Sequence, residues 1–391
     1  MAIYYLDSTI TSTNGTGDGS TSNPFGKTDD LIHYVLTQIS VGAEGDQFVI
    51  RGNGTLNHTQ PIDFYTWRGN STGTNNKPVC IRPEYVTGTF TYTMNGHGLY
   101  ARPLINNAQP PTAVQWHKTY FKDYSNPTSS TQYPFRIGQY CSFTGCTFDG
   151  SLQTHKGLIS GTANTHVIGC RIIGNRAILN GSSNSSYLIV NVDYVNHCHI
   201  TTASSATNDG PYYAFGGSGG IYWTKNVFID NLGYGNGLLI PQSNATVVNN
   251  TFYGSGAGRA IYVPGTYEHV MNICNNYIEN WATGIGTNSG YTRPNNQLIA
   301  GNCFFNVTDP YNGQWDTNNC IYDFENVGFF NNQTLTSSGV VDAAGLDFTP
   351  NKNMGTGFRH GSLAGINLGD AYVGAVLSPT TIVPITPRVR G

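Results

Sequence analysis

Apolar residues stand in pairs five positions apart along this chain, and the pairs recur every 24 to 28 residues. The second members are Phe148, Ile172, Ile200, Phe228, Phe252, Ile278 and Phe304. The first members are Phe143, Val167, Val195, Trp223, Val247, Ile273 and Ile299. Two residues ahead of each second member stand Cys146, Cys170, Cys198, Asn226, Asn250, Asn276 and Asn302. Side chains alternate faces along a straight strand, so two positions an odd number apart face opposite ways. For both to reach one interior the chain must bend between them, at the Cys or Asn. Each unit therefore predicts strand, turn, strand. Asn accepts the left-handed conformation and bonds nearby backbone, and Cys tolerates burial as a small apolar residue. Coils stacked at about 4.8 Å would let successive Asn amides bond in a ladder. The register predicts a turn lined by Cys in early coils and by Asn in later ones.

Self-similarity at this period marks a solenoid. Leucine-rich repeats share the length but need a leucine-dominated pattern with a helical segment per repeat. Here the spacers are rich in Gly, Ser, Thr and Asn, which favour turns and disfavour helices. Outside the regular stretch, residues 3–6 read as a strand. Thr28, Asp29 and Asp30 open an amphipathic helix whose apolar positions are Leu31, Ile32, Val35, Leu36 and Ile39; it would cover the open end of the solenoid. Residues 51–140 read as early coils with long excursions. Cys320-Ile321-Tyr322 and Val327-Gly328-Phe329 are strand candidates in degenerate late coils. The proline-rich stretch from Pro379 onward reads as an extended tail.

Only 10% of the 391 residues are charged, against roughly 25% in ordinary soluble proteins, and aromatic and β-branched residues are too plentiful for disorder. A formal net charge of −3 gives no attraction to nucleic acid or to an anionic membrane. No apolar run is long enough for a membrane span, and residues 1–13 lack the pattern of a secretory signal. The eight Cys contain no CxxC pair, so the expectation is reduced thiols from synthesis in a cytoplasm.

Several stretches carry a family resemblance. Tyr5-Leu6-Asp7 is followed by a Gly/Asp/Ser loop and then by Asn23-Pro24-Phe25-Gly26-Lys27-Thr28. Residues 73–82, ending Pro78-Val79-Cys80-Ile81-Arg82, look like an entry into an early coil, and Asp347-Phe348-Thr349-Pro350 and Tyr372-Val373-Gly374-Ala375 look like an ending. With the repeated turn, these make the chain resemble the pectate-lyase-like, right-handed parallel β-helix superfamily over nearly its whole length. The resemblance implies an all-β, single-stranded right-handed parallel β-helix solenoid with an N-terminal capping helix and an extended C-terminal tail. Residues 1–50 would hold the first strand and the cap. Residues 51–345 would hold the β-helix, most regular over 141–310, and residues 346–391 the far cap and tail.

For activity the superfamily implies lyases, hydrolases, phage tailspikes and non-catalytic surface proteins. A hydrolase needs two carboxylates, and adjacent coils about 4.8 Å apart come close to the roughly 5–5.5 Å of a retaining pair. At fixed offset from the anchors, Asp149 and Glu279 share a column five coils apart, while Asp193, Asp230, Glu268 and Asp309 each stand alone. Asn95-Gly96-His97-Gly98 is similar to the polygalacturonase Gly-His-Gly but precedes the regular stack, and the only Asp-Asp is Asp29-Asp30. Arg171, Arg176, Lys225 and Arg259 could serve a lyase, which would bring calcium, yet no Asp cluster with calcium-ligand spacing accompanies them. His166, His197 and His199 lie too dispersed for a metal site, so no metal or other cofactor is expected outside the lyase reading. Tyr212, Tyr213, Tyr234, Tyr253, Tyr262, Tyr267, Trp281 and Tyr291 are candidates to stack on sugar rings or to pack on a neighbouring subunit.

The expectation is a non-catalytic bacteriophage virion surface protein, a head decoration or tail appendage able to bind glycan. It would be made in the host cytoplasm and assembled on the virion. Its partners would be other virion proteins, reached through the tail, and host surface polysaccharide; a homo-oligomer is open, a trimer by analogy with tailspikes. The alternative is a polysaccharide lyase or glycoside hydrolase of the tailspike depolymerase type.

Overall fold

Bending the chain once per coil takes one residue into the left-handed region. In the computed structural model that residue is not the Cys or Asn but the one before it. Lys118, Gly145, Gly169, His197, Lys225, Asn249, Asn275 and Gly301 all have φ between 47° and 65°. The conformational tolerance of Asn therefore does not explain the column, which corrects the expectation. Gly suits such a position freely, whereas His197 and Lys225 hold it at some cost.

The column residues answer a different need. Each turn interrupts the parallel ladder and leaves a buried backbone N–H and a buried carbonyl per coil, and buried backbone groups must be paired. The side chain of Asn250 meets both requirements. Its Oδ1 accepts from Asn226 N at 2.9 Å and from Asn226 Nδ2 at 3.0 Å, and its Nδ2 donates to Trp223 O at 2.8 Å. Asn276 and Asn302 repeat the pattern. The ladder runs one step further than the sequence predicts, to Asn332, which accepts from Asn302 and donates to Ile299 O at 2.9 Å. In the earlier coils the thiol does half the work. Cys146, Cys170 and Cys198 donate to the equivalent carbonyls of Trp116, Phe143 and Val167 at 3.5, 3.5 and 3.3 Å. At the changeover Cys198 N finds Asn226 Oδ1 at 2.9 Å. Cys is thus a weak donor here as well as a small apolar residue.

The structure describes residues 2–11, 17–27, 45–52, 55–58, 62–63, 79–84, 90–94, 99–100, 114–122, 135–136, 140–149, 158–161, 164–174, 189–202, 212–213, 220–230, 236–240, 244–263, 271–287, 297–312, 327–330, 332–343 and 347–350. The segments predicted as capping helix, as the Cys320 strand and as the C-terminal tail lie outside these residues. A first sheet of 13 strands runs from Phe25–Lys27 through Ile3–Thr11, Gln47–Arg51 and Ser142–Thr144 to Val327–Phe330. Its first members come from the 1–50 segment, so the solenoid sheet reaches back into it. A second sheet of 19 strands holds two columns, one built on Thr119–Lys122, Thr147–Asp149 and their successors, the other on Phe135–Arg136 and Ile159–Ser160. The continuous strands Tyr277–Thr287 and Cys303–Asn312 join the two columns. All described pairings are parallel except the small hairpin of Val340–Asp342 with Asp347–Pro350. The chain is all-β and a parallel β-solenoid.

Inside, three apolar columns meet. The anchors Phe148, Ile172, Ile200, Phe228, Phe252, Ile278 and Phe304 are buried, as are their partners from Phe143 to Ile299. The third column holds Phe135, Ile159, Ile189, Leu238, Ile261 and Ile285. Register lets identical residues stack from coil to coil: Phe228 lies 4.7 Å above Phe252 with rings 9° apart. A complete earlier unit, Trp116, Thr119 and Phe121, pairs in register with Phe143 and Phe148, within a stretch the sequence marks as irregular.

Asn250→Ala should unfold at a clearly lower urea concentration than the wild type, losing about 2–4 kcal/mol because one truncation strands the donors of Asn226 and the carbonyl of Trp223. Exposed His197→Gly should be neutral or slightly stabilising. Equal midpoints for Asn250→Ala and wild type would contradict the ladder's role.

Candidate functional site on the second sheet

Two outward columns run along the first strip of the second sheet, and each changes character partway. One reads Tyr120, Thr147, Arg171, His199, Val227, Thr251, Tyr277, Cys303, each paired to the next across one coil step. The other reads Lys122, Asp149, Ile173, Thr201, Ile229, Tyr253, Glu279, Phe305. From Val227 and Ile229 onward the columns are covered by residues of 335–343: Val227, Ile229, Tyr277 and Cys303 pack with Val340 and Ala343 as a second apolar cluster, and Tyr253 and Phe305 lie half-buried against it. Before that point the face is uncovered and mostly polar, with Ile173 its one apolar member among the described residues. Arg171 is exposed, and Tyr120, Thr147, Asp149, His199 and Thr201 are half-buried.

In this open part Tyr120 Oη donates to Asp149 Oδ2 at 2.5 Å across the coil step, a charge-assisted bond of the short kind. One coil on, burial pushes the His199 imidazole down to about 4, and the Arg171 guanidinium beside it adds to the effect. His199 is therefore uncharged at neutral pH, and Arg171 stands as an exposed cation next to it. The chemistry on offer is a guanidinium for a carboxylate, a neutral imidazole able to accept a proton, and a tyrosine–carboxylate pair that can bond hydroxyl groups.

Under the 335–343 segment the same residue types recur, sealed. Tyr277 Oη donates to Glu279 Oε2 at 2.5 Å, Ser338 Oγ to the same oxygen at 3.1 Å, and Gly339 N to Tyr277 Oη at 2.8 Å. Burial raises the Glu279 carboxyl above its usual value of 4.5, against the lowering effect of its two hydroxyl donors. Tyr277 is pushed up as well, first by burial and then by Glu279. This cluster fastens the segment to the sheet. Asp149 and Glu279 share a column, but five steps of about 4.8 Å put them some 24 Å apart, far beyond a glycosidase pair.

The sequence-predicted aromatic candidates scatter. Trp281 is buried, its ring so close to Gly254 that a Cβ there would meet Cε2 at 2.6 Å; it is core and cannot stack on a sugar, which corrects that expectation. Tyr253 packs against the second cluster. Tyr262 lies 4.4 Å beneath the Arg259 guanidinium. Tyr212 and Tyr213 form a short strand, and Tyr234, Tyr267 and Tyr291 lie outside the described residues. Trp223, an anchor-column residue, is core, with Nε1 donating to Val192 O at 3.0 Å. Of the acids, Asp193 is buried and accepts from Asn164 N at 2.6 Å. Of the histidines, His197 is exposed in the turn and His166 stacks on Tyr194 at 4.3 Å. Among the described residues no group of three or more His, Cys, Asp or Glu could hold a metal, and Asp149, taken up by Tyr120, does not make a calcium site with its register neighbours. Among them, too, no helix is long and apolar enough to cross a membrane.

The Tyr120–Asp149 pair was missed in the sequence. Its signal was the unit Trp116-x-x-Thr119-x-Phe121, which places Tyr120 one residue before an anchor and Asp149 one residue after the next.

No protein-family model matches the chain, and no curated protein matches it in sequence. Solved structures similar to it include pectate lyase Pel9A, 12% identical with 96% of each chain covered and a TM-score of 0.48. The PL6 family polysaccharide lyase Pedsa3628 from Pseudopedobacter saltans is 13% identical over 88% of this chain and 98% of its own, with a TM-score of 0.39. A GH136 lacto-N-biosidase from Eubacterium ramulus is 11% identical over 85% and 67%, with a TM-score of 0.38. Likenesses at these values carry nothing about activity.

Glu279 yields a pH prediction. A carboxyl raised in the folded state contributes fully below its unfolded value, and that contribution is lost as pH rises through the folded one. The stability difference between wild type and Glu279→Gln should therefore shift in favour of the glutamine variant as pH rises above about 4, read as urea midpoints. A difference that stays flat over this range would show that Glu279 is not raised. His199 contributes equally to both proteins and drops out.

The chain's own strand order and asparagine ladder make its fold a parallel β-helix.

Proposed function

We propose that this protein is a carbohydrate-binding β-helix carried on the surface of a bacteriophage particle, and that it holds an acidic host polysaccharide on the open part of the second sheet. The observation that carries the reading is the change in the two outward columns. The same positions that are covered by residues 335–343 beyond Val227 are at least half-open from Tyr120 to Thr201, where all the side chains named except Ile173 are polar. Burying that face was within reach of this architecture, as residues 335–343 demonstrate. Arg171 supplies a planar, fixed cation for a sugar carboxylate, and the flanking hydroxyl, imidazole and carboxylate suit ring hydroxyls. Parallel coils repeat such groups at about 4.8 Å, close to the length of a sugar residue, so an extended glycan can lie across several coils.

The virion setting is supported by composition and thiols together. The low-charge, Gly- and Tyr-rich chain is suited to work outside a cell, while its described cysteines are thiols, nearly all buried and in no disulfide, as expected of synthesis in a reducing compartment. The Pro-rich tail remains the proposed docking segment for other virion proteins, and a homotrimer the proposed assembly.

A second reading, a depolymerase acting on the same glycan, has one observation in its favour. The neutral His199 imidazole stands beside the Arg171 cation, which is the pairing a proton abstraction next to a neutralised carboxylate would use.

Binding to a panel of acidic and neutral bacterial polysaccharides separates these readings. Arg171→Ala should weaken binding to acidic members about tenfold, near 1.4 kcal/mol, and added salt should mimic the loss. Binding unchanged in the variant would remove the second sheet as the glycan surface. New reducing ends, or ultraviolet absorbance from unsaturated sugars, would establish the depolymerase reading. Absence of the protein from purified virions would remove the viral one.

A further inference from the structure

The first sheet carries an aromatic column of its own on its outer face. Strands His166–Ile168, Tyr194–Asn196 and Ile221–Thr224 place His166, Tyr194 and Tyr222 in register. Their rings stack face to face, His166 on Tyr194 at 4.3 Å and Tyr194 on Tyr222 at 5.0 Å, each pair within 7° of parallel. A ring between two others offers only its edge to solvent. The two ends of the stack differ: Tyr222 is 39% exposed, while His166 at the other end, next to Ser142, is half-buried like the enclosed Tyr194. The next rungs after Tyr222 are Thr246 and then Asn272. Thr246 is too short to cover a phenol ring, so the outer part of the Tyr222 face is left open above a hydroxyl and an amide.

We propose that the outer face of Tyr222, with Thr246 and Asn272 beyond it, is a stacking subsite for a neutral pyranose with one flat C–H face. The ring is held by two rings behind it, so little side-chain freedom remains to be lost on binding. An aromatic face attracts the C–H side of a sugar, while a hydroxyl and a carboxamide at the next two coil steps suit the hydroxyl groups at its rim. A protein partner is a poor fit, because one ring is far smaller than the roughly 800 Å² per side of a stable interface. An acidic sugar is a poor fit as well: among the described residues the register places Thr246 and Asn272, not a cation, beside the open face. The subsite lies on a different sheet from Arg171 and stands independently of the acidic-glycan reading.

The test uses methyl β-D-galactopyranoside and a longer β-galacto-oligosaccharide, with binding followed by saturation-transfer NMR on the full chain. Wild type should bind in the millimolar range and more tightly to the longer probe. Tyr222→Phe should bind as wild type, because the face is unchanged. Tyr222→Ala should lose at least tenfold in affinity with an unchanged far-ultraviolet spectrum, and Thr246→Val should lose severalfold. Arg171→Ala should bind both probes normally, even if it fails on acidic polysaccharide. Equal binding by Tyr222→Ala, no binding of either probe by wild type, or loss on Arg171→Ala would each overturn the proposal.

Discussion

One backbone N–H and one carbonyl per coil, left without ladder partners at the turn, constrain this molecule more than any other feature. The strands satisfy their own polar groups across the coil step, but the turn cannot, and it lies inside. A carboxamide has a donor and an acceptor in one plane and meets both needs, linking Asn226, Asn250, Asn276, Asn302 and Asn332 into one polarised chain. A thiol supplies only the weak donor, which is why Cys146, Cys170 and Cys198 occupy the same place with longer contacts. Buried networks of this kind strengthen one another when complete, and here completeness requires every coil to stand in the same register.

That shared register is what turns a sequence repeat into surfaces. Once the anchors stack, every outward position stacks as well, and the exterior becomes a set of columns with a rung at each coil. A column can then be aromatic, as from His166 to Tyr222, or open and then covered, as from Tyr120 to Cys303. Its chemistry depends on residues that are roughly 24 to 30 apart in the chain. The segment 335–343 covers one stretch of the second sheet and leaves its neighbour open, so the fold marks off a site by where it stops covering itself.

The pairs five apart, and the Cys or Asn between them, are written in the chain, because burial of alternate side chains repeats with every coil and leaves a period in the sequence. From them follow the solenoid, the all-β class, the core columns and the place of Trp223 in the interior. The same pattern does not separate Asn as a left-handed residue from Asn as a hydrogen-bonding bridge, since both put Asn at a turn; only the backbone angles at His197 and Lys225 and the amide contacts distinguish them. The role of Trp281 was likewise hidden. It follows its anchor by three residues, in a part of the coil where spacers vary, and a second left-handed bend at Asn280, with φ of 63°, turns it inward.

The sequence by itself determined the repeat, the turn column and the absence of ordinary surface charge, because these are local or periodic properties. Tertiary structure alone decided which acids, cations and rings meet. Tyr120 reaches Asp149, Arg171 lies beside His199, and Tyr222 ends its stack because spacers of unequal length still return the chain to one register. Contacts across coils depend on that return and not on sequence distance, so no spacing rule in the chain announces them.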